Sequence, residues 1–378
     1  MYHVKTMNKI SKIGLAELDD RFAISDTMEH EDAILVRSAK LHDYDFPAEL
    51  KCIARAGAGV NNIPLDRAAD AGIVVFNAPG ANANGVKELT IAALLLASRK
   101  ISQGITWVKE QSAAGADVAD VVEKGKAAYV GPEIMGKTLG VVGLGAIGVL
   151  VANAAAALGM KIVGYDPFLS VTHALNLTPG VEVVDTLPEL YAKADYISLH
   201  LPMNDATRGT LNEAAFAAMK DGVRIVNLAR GELVDTPALK AALDSGKCAA
   251  YVTDFPNSET AAIEGVVAIP HLGASTPESE DNCAMMAARE VKEYLDNGSI
   301  INSVNLPNLT MAWAAKTRVC VISKGADAAA IAGAVPAVAS ASNTRGEYAY
   351  TILDTDAAVD EAAIAAIPGV LRVRVLTR

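Results

Sequence analysis

Residues 138–160 read TLGVVGLGAIGVLVANAAAALGM, a long stretch without a charged side chain. Its length would allow a membrane span, which takes about 20 apolar residues. Five glycines interrupt it, however, and Asn153 lies inside it. Leu139–Leu144 is short and valine-rich, which predicts a strand buried on both faces, and Val149–Leu158 predicts an alanine-rich helix ending at Gly159. The stretch therefore predicts a strand, a turn and a helix rather than a membrane span.

The turn between this strand and this helix has the pattern G-x-G-x-x-G, formed by Gly143, Gly145 and Gly148. A second apolar strand, Lys161–Tyr165, follows the helix and ends at Asp166. This order is the fingerprint of a dinucleotide-binding βαβ unit. The first glycine permits the tight turn, the second lets backbone approach a pyrophosphate, and the third allows close packing of helix and strand. The alternative is a glycine-rich packing turn.

Asp166 predicts which dinucleotide would bind. Its carboxylate can accept hydrogen bonds from the adenosine ribose hydroxyls, and its charge would repel a 2′-phosphate. Pro167 and Phe168, which follow it, provide no arginine for such a phosphate. The predicted cofactor is NAD rather than NADP.

Composition limits the classes of partner. The formal net charge of −11 disfavours nucleic acid and anionic membranes as partners. The N-terminal MYHVKTMNKI has no apolar segment typical of a signal peptide. The four cysteines are far apart and form no C-x-x-C pair, which favours reduced thiols in a cytoplasmic protein without a metal site.

The order of predicted elements indicates an α/β fold with three parts. Apolar strands alternate with helices through most of the chain, which predicts doubly wound parallel sheets. We expect a substrate-binding domain at 1–98 and 271–308 and a Rossmann-type nucleotide domain at 99–270. Residues 317–378 change to a βαββαβ pattern.

Three polar groups follow predicted strands of the nucleotide domain, where ligands of open α/β sheets bind. Arg230 could hold a carboxylate and polarise a carbonyl oxygen. His271 could exchange a proton with a substrate hydroxyl, and Glu259 could stabilise its imidazolium form. Alone, Arg230 would more often be a surface salt-bridge residue and His271 a structural histidine.

These motifs resemble the D-2-hydroxyacid dehydrogenase family, and within it the short D-3-phosphoglycerate dehydrogenases with a C-terminal ACT domain. The matching segments are N-x-A-R-G-x-x-V-D at 227–235, D-x-x-x-x-E at 254–259 and P-H-x-G-A-S-T at 270–276. The resemblance implies catalytic roles for Arg230, Glu259 and His271. Besides the glycines above, it implies cofactor contacts at Ala78, Ala146, Ile147, Asp166, Leu201, Leu228, Ala229, Asp254, Gly273 and Ala274.

The segment RAGAGVNNIPLD, residues 55–66, resembles the substrate loop of this family. The resemblance implies that backbone at Ala58, Gly59 and Val60 receives the substrate carboxylate, while Arg230 and His271 also contact the substrate. Arg55, together with Arg37 and Lys40, would neutralise a phosphate; a solvated surface is the alternative for the last two.

The resemblance implies NAD-dependent oxidation of D-3-phosphoglycerate to 3-phosphohydroxypyruvate, the first step of serine biosynthesis. The alternatives are a glyoxylate, hydroxypyruvate or other D-2-hydroxyacid reductase, and an NAD-sensing, corepressor-like binding protein. The resemblance also implies a homodimer or homotetramer that pairs through an arm at 101–129, and it implies an amino-acid effector that binds the ACT-like domain.

Two departures bear on these expectations. The motif D-V-F-x-x-E-P of the family reads Asp254-Phe255-Pro256-Asn257-Ser258-Glu259-Thr260, which keeps the spacing to the glutamate and loses the Val-Phe order. Residues 324–334, KGADAAAIAGA, lack the turn N-x-P-G-x-L of ACT domains.

Overall fold

The computed structural model describes all 378 residues. They form two compact units, one made of residues 1–82 with 277–378 and the other of residues 83–276. The predicted fold class is confirmed, because the structure contains two parallel sheets, of five and seven strands, and a separate four-stranded antiparallel sheet. The three-domain boundaries given above stay a prediction.

The N-terminal part of the first unit is a parallel sheet with short helices. Its sheet order is β2-β1-β3-β4-β5. The sequence did not predict β1 and β2, because β1 mixes His3 and Lys5 with apolar residues and buries only Val4 completely. The elements are β1 (Tyr2–Met7), α1 (Lys12–Leu15), β2 (Phe22–Ser25), β3 (Ala33–Val36), β4 (Cys52–Arg55), α2 (Leu65–Asp70) and β5 (Val74–Asn77).

The second unit begins with α3 (Ala83–Ser98), which packs on its seven-stranded parallel sheet. Next come the helices α4 (Ile101–Ala113) and α5 (Val118–Gly125), neither of which has a buried residue. The sheet and its other helices are β6 (Thr138–Val142), α6 (Ala146–Ala157), β7 (Lys161–Tyr165), α7 (Val171–Leu175), β8 (Glu182–Val183), α8 (Leu187–Lys193), β9 (Tyr196–Leu199), α9 (Glu213–Ala218), β10 (Val223–Asn227), α10 (Thr236–Asp244), β11 (Cys248–Thr253) and β12 (Val266–Ala268).

The strand order of this sheet is β12-β11-β10-β9-β6-β7-β8, so the direction of winding reverses between β9 and β6. All pairings are parallel, which places the carboxyl ends of the strands on one edge. In open α/β sheets, ligands bind at this edge near the reversal. The fold therefore brings the predicted cofactor and catalytic segments to a common edge.

The chain then returns to the first unit. The long helix α11 (Pro277–Asn297) packs against β3, β4 and β5. The C-terminal sheet has the order β14-β15-β13-β16. It is built from β13 (Thr317–Lys324), α12 (Ala328–Ala332), β14 (Ala339–Arg345), β15 (Tyr348–Thr355), α13 (Glu361–Ala365) and β16 (Val370–Thr377), as the βαββαβ pattern predicts.

The C-terminal sheet shares one hydrophobic core with the N-terminal sheet. Buried Cys320 and Tyr350 belong to the same cluster as Cys52 and Tyr294. The Arg374 guanidinium lies in this contact and donates to the carbonyl oxygens of Tyr294 and Leu295, at 2.9 and 2.8 Å, near the end of α11. A cation at a helix C-terminus also interacts favourably with the helix dipole. The amino-acid effector of this sheet stays a prediction.

Candidate active site

The glycine turn lies at the carboxyl end of β6. Gly143 has a φ of +94°, and a Cβ there would lie 2.6 Å from the His200 carbonyl oxygen. A Cβ on Gly148 would lie 1.9 Å from the Gly143 carbonyl oxygen, so only glycine lets α6 start so close to the turn. A Cβ on Gly145, the N-cap of α6, would meet no atom within 4 Å. The helix N-terminus beside this open position offers unpaired N–H groups to an anion.

Asp166 follows β7, and its side chain connects the end of this strand with the glycine turn after β6. One carboxylate oxygen accepts from the Leu144 N–H at 2.9 Å, and the other accepts from the Phe168 N–H at 2.8 Å. Each oxygen has a further lone pair with which it could accept from a ribose hydroxyl. The backbone bonds therefore hold the carboxylate at the edge where the glycine turn lies.

The other predicted cofactor residues are spread over the two units. Ala78 belongs to the first unit, where it is fully buried and donates its N–H to the Gly57 carbonyl at 3.0 Å. Within the second unit, Ala146 is exposed at the start of α6 and Leu228 is buried after β10. Ile147, Leu201, Ala229 and Ala274 are half-buried.

Arg230 is presented by a turn that Asn227 organises. The Asn227 side chain donates to the Arg230 carbonyl at 2.8 Å and to the Tyr251 hydroxyl at 3.1 Å, and it accepts from the Ala229 N–H at 3.1 Å. Asn227 is fully buried, whereas Arg230 is exposed. The buried amide therefore fixes the backbone of the turn, while the exposed guanidinium donates one hydrogen bond, to the Ala229 carbonyl at 2.6 Å.

Phe255 connects Arg230 with His271. The Arg230 guanidinium carbon lies 5.1 Å from the centre of the Phe255 ring. The centre of the His271 ring lies 4.2 Å from the same ring centre, with 47° between the planes. Sequence analysis did not single out Phe255; the signal was its place inside the altered D-V-F-x-x-E-P motif. The structure therefore brings the predicted arginine and histidine to one aromatic side chain.

Asp254 stands beside this cluster as a buried carboxylate. Its Oδ2 accepts from the Gly273 N–H at 3.1 Å, and its Oδ1 is buried without a partner. Burial raises the pKa of Asp254, while the Gly273 hydrogen bond and the charge of a protonated His271 act in the opposite direction. Asp254 thereby ties the segment that carries His271 to the end of β11.

Glu259 is the one predicted catalytic residue outside this cluster. It is exposed, and it precedes a 3₁₀ turn at Thr260–Ala262. The Asn257 side chain caps this turn by accepting from the N–H groups of Glu259 and Thr260, at 3.0 and 2.8 Å. No hydrogen bond or ion pair joins the Glu259 carboxylate to His271. The imidazole–carboxylate couple therefore stays a prediction.

Among the histidines near this edge, His271 is the one available to exchange a proton with a ligand. His200 follows β9, and burial lowers its pKa to about 4. Its Nε2 pairs with the Ser198 hydroxyl at 2.9 Å. His271 is exposed, and its carbonyl accepts from the Ser275 hydroxyl at 3.2 Å.

The predicted substrate loop lies in the first unit, after β4. The N–H groups of Ala58, Gly59 and Val60 donate to no acceptor within the protein, although neighbouring Ala56 and Gly57 both donate. Three successive N–H groups without an acceptor can together bind an anion. Arg55 reaches back over this loop and donates its Nε to the Arg37 carbonyl at 3.1 Å.

The residues predicted to bind the substrate phosphate differ in their surroundings. Arg37 pairs with Glu280 at 2.6 Å, which compensates its charge within the protein. Lys40 is exposed and forms no ion pair. No cluster of three or more histidine, cysteine or acidic residues is placed to hold a metal ion, and no helix is long and apolar enough to cross a membrane.

Comparison with known proteins identifies the class. Residues 91–273 match the family described as "D-isomer specific 2-hydroxyacid dehydrogenase, NAD binding domain". The chain belongs to the D-isomer specific 2-hydroxyacid dehydrogenase family, and NAD is the cofactor of its nucleotide domain.

Particular relatives carry a more specific name. The chain is 35% identical over 81% of its length to the D-3-phosphoglycerate dehydrogenase of Methanocaldococcus jannaschii, covering 58% of that protein. It is 40% identical over 76% of its length to the enzyme of that name from Mycobacterium bovis, covering 53% of it. The chain therefore spans little more than half the length of these relatives.

Among solved structures, the NAD⁺-bound 3-phosphoglycerate dehydrogenase of Entamoeba histolytica is 26% identical with a TM-score of 0.61. The match covers 82% of this chain and 99% of that one.

Proposed function

We propose that the protein oxidises D-3-phosphoglycerate to 3-phosphohydroxypyruvate with NAD, the first step of serine biosynthesis. The observation that carries the proposal is the Arg230–Phe255–His271 cluster at the same sheet edge as the glycine turn and Asp166. Family membership and the shared name of relatives at 35% and 40% identity support it.

When bound, NAD⁺ accepts a hydride from C2 of the substrate, and the products are the 2-keto acid, NADH and a proton. His271 accepts the proton of the C2 hydroxyl, and in the reverse direction returns it to the carbonyl oxygen. Arg230 provides donors for the substrate carboxylate and for the charge that develops on the C2 oxygen. Phe255 packs beside both side chains.

In this proposal the loop after β4 also binds the substrate carboxylate, and the cations near it attract the phosphate. The unpaired N–H groups of Ala58, Gly59 and Val60 would bind the carboxylate. Arg55 and Lys40 would attract the phosphate, whereas Arg37 would first have to release Glu280.

The test is steady-state formation of NADH from D-3-phosphoglycerate, with D-glycerate as the matched substrate without a phosphate. The proposal expects a higher kcat/KM for the phosphorylated acid. Replacing Arg55 by Ala should reduce this preference at least tenfold and leave D-glycerate oxidation almost unchanged. NAD binding without turnover of any 2-hydroxy acid would instead support the NAD-sensing protein.

A reductase of glyoxylate or hydroxypyruvate is the second candidate, and the Arg37–Glu280 ion pair favours it. This pair removes one of the cations expected to face a phosphate. The same assay run from NADH decides between the two, because a reductase would prefer hydroxypyruvate over its phosphorylated form.

We also propose that the chain forms homo-oligomers through α4 and α5. Ile101 and Ile105 are exposed there, and with Trp107 and Tyr129 they line an apolar cavity of about 470 Å³. Replacing Ile105 by Asp should lower the molar mass measured by light scattering, and an unchanged mass would exclude this surface.

A further inference from the structure

The substrate loop that follows β4 is held in place by the end of the neighbouring strand. Arg55 and Asn77 are paired in register as the last residues of β4 and β5. The Asn77 side-chain amide donates to the Ala58 carbonyl at 2.6 Å. The Ala78 N–H donates to the Gly57 carbonyl at 3.0 Å. Two successive carbonyls of the loop are thus bound by the last residue of β5 and the residue that follows it.

These bonds also determine where the loop N–H groups point. A peptide unit is planar and trans, so its N–H is directed opposite to its C=O. The Ala58 carbonyl shares a peptide unit with the Gly59 N–H, which has no acceptor in the protein. By holding this carbonyl, Asn77 directs the Gly59 N–H away from its own side chain. The Ala78 backbone does the same for the Ala58 N–H.

The backbone of Asn77 is in turn held by the segment around Asn302. Its N–H points to the carbonyl of Asn302 at 3.5 Å. Asn302 has a φ of +59°, and its side-chain amide donates to Glu290 Oε1 at 2.7 Å. Next to Asn302, Ser303 forms an antiparallel bridge with Phe76. The backbone of Asn77, whose side-chain amide holds the loop, therefore contacts a segment that is itself hydrogen-bonded to α11.

We propose that Asn77 is a positioning residue: its side-chain amide aims the Gly59 N–H at the carboxylate of the substrate. The inference rests on the proposed function, because it assumes that the loop receives a 2-hydroxy acid. Asn77 does not touch the substrate. It acts through one backbone hydrogen-bond donor, and loss of one hydrogen bond of about 1.4 kcal/mol corresponds to a tenfold change in affinity.

The test compares Asn77→Asp with Asn77→Ala. Aspartate keeps the size of the side chain but replaces the donor by an acceptor, which would repel the Ala58 carbonyl. A positioning donor predicts that KM for D-3-phosphoglycerate rises at least tenfold in Asn77→Ala and at least as much in Asn77→Asp. A role in filling space predicts the opposite order, with Asn77→Asp close to the wild type.

Four further measurements accompany this comparison. NADH affinity should be unchanged, and KM for D-glycerate should rise by the same factor, because both acids carry the carboxylate. The matched control is Asn153→Asp, which removes a similar amide-to-carbonyl bond, to Asn176 at 2.8 Å, in the other unit. Its KM should match the wild type, as should the melting temperature of Asn77→Asp within a few degrees.

The outcomes separate the two proposals. An unchanged KM in both Asn77 variants, with normal wild-type turnover, overturns the role of Asn77 alone. A wild-type protein that oxidises another 2-hydroxy acid but not D-3-phosphoglycerate overturns the substrate assignment, while a raised KM for that acid still supports Asn77. No turnover of any 2-hydroxy acid overturns both.

Discussion

Glu290 is a carboxyl group buried on α11, and replacing it by Gln should change how stability depends on pH. The side chain is 6% exposed. Asn302 donates to Oε1, while Oε2 is buried without a partner. Burial raises the pKa of Glu290 from 4.5 to about 8, and the Asn302 hydrogen bond opposes this only partly. The folded protein therefore holds this group in its neutral form at pH 7.

The direction of the effect follows from proton binding. Below pH 4.5 the carboxyl group is protonated in the folded and the unfolded chain, so pH has no effect through it. Between pH 4.5 and about 8 only the folded state retains the proton, so the free energy of unfolding falls as pH rises. This is opposite to the behaviour of a carboxylate in a salt bridge.

The magnitude follows from the size of the shift. One pKa unit corresponds to about 1.4 kcal/mol, so the whole window would cost about 5 kcal/mol. Between about pH 6 and pH 7.5 the expected loss is about 2 kcal/mol. Gln cannot ionise, and its carbonyl can still accept from Asn302. The Glu290→Gln variant should therefore lack this part of the slope, whatever its stability at low pH.

Urea unfolding at several pH values measures the slope. The chain has two tryptophans, and Trp313 donates its indole N–H to Asn297 Oδ1 at the end of α11. In a Trp107→Phe background, Trp313 fluorescence reports on the unit that contains Glu290. Glu278→Gln, at an exposed position on the same helix, is the control for loss of a charge. Equal slopes for Glu290→Gln and its parent would refute the argument from burial.

Three other substitutions test the site and the core. Asp166→Ala should raise the efficiency with NADP relative to NAD at least tenfold, because it removes the charge that would repel a 2′-phosphate; an unchanged ratio in steady-state assays would contradict the ribose argument. His271→Ala should lower kcat at least a hundredfold with little effect on NADH affinity measured by fluorescence; near-normal turnover would exclude it as proton acceptor. Arg374→Ala should cost about 2–4 kcal/mol in urea unfolding, because the Tyr294 and Leu295 carbonyls each lose a charged donor and keep only the Gly298 N–H and the Tyr2 hydroxyl; a loss below 1 kcal/mol would show that the remaining donors suffice.

The βαβ unit and its acid could be predicted from the sequence because each requirement is local. Gly143 needs a positive φ, and Gly148 leaves no space for a Cβ. These restrictions act between residues that are close along the chain, so the spacing of the glycines alone shows them. The alternation of apolar strands with helices likewise predicted both parallel sheets, and the βαββαβ order predicted the C-terminal sheet.

The active-site cluster could be predicted only in part. The motifs indicated Arg230 and His271, but the ring of Phe255 between them became visible only in the structure. The motif also suggested a Glu259–His271 couple, which stays a prediction, because the structure shows only that Asn257 caps the exposed turn that carries Glu259. A side-chain contact depends on rotamers and turn geometry, which residue spacing does not specify.

By itself, the sequence determined the cofactor class, the parallel sheets and the residue types at the strand ends, because backbone sterics and hydrophobic periodicity act over short distances along the chain. Only the tertiary structure decided that the C-terminal sheet shares one core with the N-terminal sheet, that Asn77 holds the loop after β4, and that Glu290 is neutral at pH 7. These properties depend on which distant segments of the chain pack together and exclude water. The local sequence does not specify that packing.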